Sequence, residues 1–507
     1  MDNGFRGDGE GFAPADLLRV IAREAIEACH AGRAVTRGTS LDRRAIVLGG
    51  RPVALAPPGR LLVLACGKAA VPMQEALFER LRDAGFRRPV QALVVAPAPP
   101  APDKGRRAGA KGRVSSAASR GAASTSAVPA PGLSSAAALK AAAAAAARPA
   151  PLKGIKVTRL VAEHPVPGRG SFRAGKAALR FMGGARRGDD VVALVSGGGS
   201  SLLAAPLTPF MNAAEKARLH RLLITSGAPI GAINAVRRHL SAVKGGRLAL
   251  QAERARSITS MILSDVDPDR YDEVASGPTV PDRSTLDDMV AVIDRYGLAP
   301  ALPDRVLEAL RAGRLPETPK PREAAFRRAR ALMLMSNADL RQTAVRAGLT
   351  RGLAAEAMPT EITTPVEDAV ELVARAIEGA PTGLRLLVLG GEARTAPAAP
   401  GAGGRAQEFA LRLALRMRNL SMRGWAFLAA GSDGIDGWSP AAGAFVDAGT
   451  LRRAAAIGLD AERALARAES WRFFRRLGDD LVTGPTATNV RDLYLLLTGL
   501  PRPGTGP

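Results

Sequence analysis

Six times along the 507-residue chain, a short, largely apolar run is followed at once by small, polar or glycine residues. Residues 61–65 lead into Cys66-Gly67-Lys68, and 191–195 into Ser196-Gly197-Gly198-Gly199-Ser200. Residues 258–263 lead into Ser264-Asp265, and 331–335 into Ser336-Asn337. Residues 386–389 lead into Gly390-Gly391-Glu392, and 426–430 into Gly431-Ser432-Asp433-Gly434. Apolar runs of this length read as strands buried on both faces. Helical patterns lie between them, at 69–84, 173–182, 213–223, 234–249 and 406–420. Alternating strands and helices predict an α/β fold with mostly parallel, Rossmann-like sheets. Such sheets bind ligands outside the carboxyl ends of their strands. The polar residues fall at those ends, so one site built from several strand-end loops is predicted.

The length predicts two domains: an N-terminal α/β domain over 1–255 and a C-terminal one over 256–507. Residues 97–153 are low-complexity Pro, Ala, Ser, Gly and Lys/Arg. They offer too little apolar surface to offset the entropy of ordering, and read as a disordered insertion between two strands.

The net charge of +24 raises the question of nucleic acid. Residues 97–156 hold ten basic residues and one acid, and the rest of the excess is spread thinly. No basic stripe interleaved with aromatics is present, so specific nucleic-acid binding is not expected. A basic chain does suit anionic small ligands. Two cysteines, Cys29 and Cys66, make neither a disulfide framework nor a Cys-rich metal site, and a cytoplasmic setting is expected. No apolar run is long enough to predict a membrane helix. The acidic start (Asp2, Asp8, Glu10) fits neither a secretory signal nor a transit peptide.

Each loop has its own chemistry. In Ser196-Gly197-Gly198-Gly199-Ser200-Ser201, three glycines let backbone N–H groups approach an anion and the serines add donors; the plain alternative is a tight strand-to-helix turn. No Walker A loop and no protein-kinase signature occurs. Lys68, after Gly67 at a strand end and opening a helix, is placed to meet a transferring phosphoryl. Arg237, Ser241 and Lys244 recur at helical spacing and would share one face, which is equally the pattern of a solvated face. Asp265 follows a strand and suits Mg²⁺, or else caps a turn. Arg405, emerging from Gly403-Gly404, can fork onto carboxylate or phosphate, with Glu392 upstream. Asp433 and Asp436 lie in a Gly-rich loop, where a carboxylate holds Mg²⁺ or accepts a hydroxyl proton. Gly484-Pro485-Thr486-Ala487-Thr488-Asn489-Val490 reads as a polar turn entering a last helix. The four histidines show no metal-binding spacing.

Taken in order, these segments resemble the glycerate 2-kinase family, also called type II glycerate kinases or the MOFRL family. The matching pieces are Gly67-Lys68-Ala69-Ala70, His164-Pro165-Val166-Pro167, the Ser196–Ser200 loop, 234–247 and Ser264-Asp265-Val266. They continue with Ser276-Gly277-Pro278-Thr279, Gly390-Gly391-Glu392, Gly404-Arg405, 433–437 and 484–490. The resemblance implies two α/β domains with the active site in the cleft between them, a MOFRL-like core at about 385–495, ATP and D-glycerate as substrates, and Mg²⁺. It implies 2-phosphoglycerate as the usual product, with the 3-phospho isomer in some members. The family's essential Lys and Arg fall on Lys68 and Arg405. Gly67, Ser196, Gly197, Gly198, Gly199, Ser200, Arg237, Lys244, Glu392 and Asn489 become expected binding residues. Asp265 and Asp433 become expected metal or base carboxylates, and a homodimer is compatible with the family. The chain departs from the family pattern at Ala406, where Asn is usual.

Overall fold

The computed structural model describes residues 13–42, 44–56, 58–98, 154–263, 270–395, 401–418 and 424–500. The low-complexity stretch and Asp265 lie outside these residues.

Three strands form a small antiparallel sheet near the start: β1 (Thr39–Leu41), β2 (Ala45–Leu48) and β3 (Arg51–Ala54). The first large sheet comprises β4 (Leu61–Cys66), β5 (Val90–Pro97), β6 (Ile155–Ala162), β7 (Asp190–Val195), β8 (Ser257–Leu263) and β9 (Ala329–Met335). Its order is β6-β5-β4-β7-β8-β9, and every pairing is parallel. Each residue of β4, β7 and β8 is buried, which is why those strands are mostly apolar, with Asp190, Ser257, Thr259 and Ser260 as buried polar exceptions.

The second large sheet contains β10 (Ala354–Ala357), β11 (Arg385–Gly391), β12 (Trp425–Gly431), β13 (Gly443–Asp447), β14 (Asp480–Leu481) and β15 (Asp492–Thr498). Its order is β10-β11-β15-β12-β13-β14. The α/β class holds, but only the β10–β11 pairing here is parallel; the other four are antiparallel. A strand buried on both faces is apolar whichever way its neighbours run, so the sequence pattern carries no direction. The last helix expected after the 484–490 turn is instead β15, inserted between β11 and β12. A five-residue apolar run, 493–497, is too short for its periodicity to separate strand from helix.

The expected helix over 234–249 is two helices, Ile230–His239 and Arg247–Gln251. The break holds Gly245 and Gly246, both with left-handed φ (+55° and +81°). Arg237 therefore lies in a helix that ends before Ser241 and Lys244, and the three do not share a helical face. The remaining expected helices appear with shifted ends, at Ala70–Asp83, Arg169–Gly183, Ala213–Thr225 and Arg405–Arg416. One buried apolar cluster runs through β4, β5 and β7, the helices Pro14–Ala28 and Asn337–Leu349, and one face of β11, β12 and β15.

Candidate active site

Neighbouring strands β4 and β7 end side by side, with Cys66 opposite Val195. The loops that follow are tied together: the Ser196 N–H donates to the Cys66 carbonyl (3.0 Å) and the Lys68 N–H to the Gly197 carbonyl (2.9 Å). The Ala69 N–H donates to Ser196 Oγ at 3.1 Å. Gly67 adopts φ +125°, and a Cβ there would fall 2.2 Å from Ser196 Oγ, so only glycine fits. Gly198 is left-handed at φ +80° and begins the turn Gly199–Leu202.

Two further segments brace this turn. Ser200 Oγ lies 2.9 Å from Ser276 Oγ, which donates to Asn234 Oδ1 at 3.0 Å. Ala275, Ser276 and Gly277 are all left-handed, a strained run held against the turn. Lys244 is buried and donates Nζ to the carbonyls of Ser200 (2.6 Å) and Leu203 (3.2 Å). Burial, then Lys216 and Arg237, hold its ammonium well below the usual lysine range. Arg237 Nη2 lies 3.2 Å from His220 Nε2.

The second sheet contributes the ends of β11 and β12 and the beginning of β15. Because β15 runs antiparallel, its first residue Asp492 sits opposite both Gly391 and Gly431. A carboxylate is thus delivered to the same edge as Glu392 and Asp433. Arg405, the first residue of its helix, grips Asp492 with two bonds, Nε to Oδ2 at 2.7 Å and Nη2 to Oδ1 at 3.0 Å. Its Nη1 donates to Glu392 Oε1 at 2.6 Å. Burial pulls its pKa down, but Asp492 and then Glu392 outweigh burial and hold it above the ordinary value. Arg405 is therefore an anchored cation facing two carboxylates, not an open anion clamp. Tyr494 donates its hydroxyl to Asp492 Oδ2 (3.2 Å) and accepts from the Ala393 N–H (3.2 Å).

Asp436 caps the same helix from a distant loop. It accepts from the N–H groups of Ala406 (3.1 Å) and Gln407 (2.8 Å). Burial, then nearby Asp492, push its carboxyl up to about 7 against those donors. At Ala406, where the family pattern has Asn, the side chain is fully buried.

The two sheets meet at Lys68 and Asp433. Lys68 Nζ is 3.2 Å from Asp433 Oδ2, with side chains 38% and 24% exposed, so both remain accessible to a ligand. Asn489 precedes Val490, whose N–H donates to Ser432 Oγ at 2.9 Å, which sets the 484–490 turn against the Asp433 loop. The structure thus brings together Gly67, Lys68, the Ser196–Ser200 turn and Asp433, and separately Glu392 and Arg405. The sequence reading missed Asp492 and gave Asp436 a metal or base role, whereas it caps a helix. Asp436 was visible in the Gly-rich loop, but its capping role depends on a helix 30 residues upstream. Asp492 is delivered by an unexpected antiparallel strand.

Among the described residues, no group of three His, Cys, Asp or Glu side chains is arranged to hold a metal ion. Mg²⁺ commonly binds through one or two carboxylates plus nucleotide phosphates. Accessible Asp433 fits that mode; Asp492 and Glu392 are committed to Arg405.

A family model described as DUF4147, a domain of unknown function, matches residues 17–311, and the MOFRL family model matches 385–492. The chain is 40% identical over 366 residues to an Agrobacterium vitis protein named "Putative hydroxypyruvate reductase", covering 69% of this chain and 82% of that one. It is 34% identical over 341 residues to the D-glycerate 2-kinase of Thermotoga maritima, covering 66% and 78%. A crystal structure of glycerate kinase from Thermotoga maritima superposes with a TM-score of 0.70 at 28% identity, covering 96% of this chain and 99% of that one. By these matches over most of its length, the chain belongs to the glycerate 2-kinase, or MOFRL, family.

Proposed function

We propose that the protein is a glycerate kinase that transfers the γ-phosphoryl group of ATP to D-glycerate, giving 2-phosphoglycerate. The observation that carries this reading is the pairing of Lys68 with Asp433 where the strand ends of the two sheets meet, in a chain similar to glycerate kinases. The cleft between the sheets is taken as the substrate site, with the Ser196–Ser200 turn as one wall. A hydroxyl oxygen of glycerate attacks the γ-phosphorus in line, and the bond to the β,γ-bridging oxygen breaks to release ADP. Asp433 accepts the hydroxyl proton, and Lys68 offsets the negative charge spread over the transferring phosphoryl. Arg405 fixes the position of Glu392 and Asp492 and sets the field along that edge. Asp433 and, by the family resemblance, Asp265 would hold Mg²⁺ bound with ATP, and the ion would supply neutralisation of phosphate charge.

The test is ADP release from MgATP that depends on D-glycerate, followed by direct coupling to enolase. Enolase turnover without added mutase assigns 2-phosphoglycerate; turnover only with mutase assigns the 3-phospho isomer. Because related Agrobacterium proteins carry a reductase name, the same sample is given hydroxypyruvate and NADH. NADH oxidation without glycerate-dependent ADP release would overturn the kinase reading.

A further inference from the structure

Two adjacent arginines on the helix Ile230–His239 are both buried, yet their surroundings treat them oppositely. Arg238 is 2% exposed and paired with two carboxylates, Asp272 at 3.2 Å and Asp282 at 2.8 Å. That is the usual accommodation of a buried guanidinium. Arg237 is 9% exposed, and among the described residues no carboxylate lies within ion-pair distance of it. Among the described residues its one hydrogen-bond partner is His220, and its Nε is buried without a partner.

The groups around Arg237 are nitrogen bases as well. Burial, then Arg237 itself, hold His220 down to about 2 and Lys216 down to about 7. The His164 ring is depressed first by its packing, then by Lys68 and Arg237. The same His164 ring lies 3.2 Å from where a Gly198 Cβ would stand, with Lys68 Cγ 3.1 Å from that point. The uncompensated cation shares its helix with Asn234, which reaches the Ser196–Ser200 turn through Ser276, and it acts on the same His164 ring as Lys68. A buried guanidinium without a counter-charge is costly, and its rigid fork matches a planar or tetrahedral oxyanion. Arg405, by contrast, already faces two carboxylates.

We infer that Arg237, flanked by His164, His220 and Lys244, is the seat of an oxyanion supplied by a substrate: the carboxylate of the small hydroxy acid or a phosphoryl group of the nucleotide. This rests on the proposed kinase function and assigns the anion to Arg237 instead of Arg405.

The test is thermal unfolding of the full chain and of Arg237→Met, each with D-glycerate, with the β,γ-imido analogue of ATP, or with inorganic phosphate. Removing an unpaired buried charge should leave the ligand-free melting temperature unchanged or raised. The half-saturating concentration of the seated ligand should rise about tenfold or more, the scale of one charge-assisted hydrogen bond. Selective loss of the glycerate response assigns the carboxylate; selective loss of the nucleotide response assigns the phosphoryl group. Unchanged responses to all three ligands would overturn the inference. If Arg237→Met does not fold, Arg237→Lys keeps the charge but loses the fork; weakened binding of one ligand supports the seat, and unchanged binding overturns it. If the wild type answers to neither substrate, the kinase reading fails, and phosphate decides the seat alone. A phosphate response that depends on Arg237 sustains it; one that does not, or none at all, sinks it.

Discussion

Lys68 and Asp433 are 365 positions apart and meet through a single 3.2 Å ion pair between half-exposed side chains. An exposed pair of this kind adds little stability, so its value lies in chemistry. Lys68→Ala should lower kcat at least about 100-fold, the scale of losing one transition-state donor, while the melting temperature hardly moves. Steady-state kinetics with an unchanged kcat would remove Lys68 from the reaction. Asp436 gives a pH-dependent prediction. Its carboxyl is raised from 3.8 to about 7 by burial and Asp492. The folded state therefore holds a proton that the unfolded chain has released, and the stability this lends is lost as pH rises through that window. Relative to Asp436→Asn, the wild type should lose melting temperature between about pH 4 and pH 7. A difference between the two proteins that stays flat over that range would show that Asp436 keeps its charge at the helix N-terminus.

At the scale of elements, the site depends on the crossing of two loops at the ends of β4 and β7. Gly67 is the point of closest approach, where a Cβ would also fall 2.5 Å from the Ser196 carbonyl oxygen. Gly67→Ala should cost about 1–3 kcal/mol from backbone strain alone, with the clash added. Calorimetry should show a lower melting temperature, and catalysis should weaken because Lys68 is the next residue. A variant as stable and active as the wild type would mean the loops part easily. The opposite edge of the first sheet is structural. There Asp190 accepts from buried Arg88 at 2.6 Å and from Ser257 at 2.5 Å, and also pairs with Arg256. One end of the sheet is fixed by satisfied charges and the other carries the candidate chemistry.

At the scale of the molecule, β5 and β6 are parallel neighbours in register from Val90↔Ile155 to Pro97↔Ala162. The chain leaving Pro97 must return along the whole strand to reach Ile155, about 26 Å at 3.3 Å per residue. Such crossovers take a dozen or more residues. Joining residue 98 directly to 154 should therefore detach β6 and lower the melting temperature, whereas a Gly/Ser linker of about 15 residues should preserve the fold. Equal stability of the two deletions, by circular dichroism melting, would mean that β6 contributes little to the sheet.

The amino-acid sequence by itself determined the α/β class, the strands buried on both faces and the glycine turns that follow them. Largely apolar runs and strand-end glycines are local patterns, readable without neighbours. It also marked Lys68, Arg405 and Asp433, because charges beside glycine at strand ends are unusual in composition alone. Only the tertiary structure decided the direction of β15 and hence the place of Asp492, since an apolar run does not encode the direction of its partners. It also decided that Arg405 is held between two carboxylates while, among the described residues, no carboxylate pairs with buried Arg237. That contrast depends on side chains brought together from distant segments, such as Asp272 and Asp282 beside Arg238 and His220 beside Arg237. Sequence spacing supplies the charges; packing decides which of them are already neutralised.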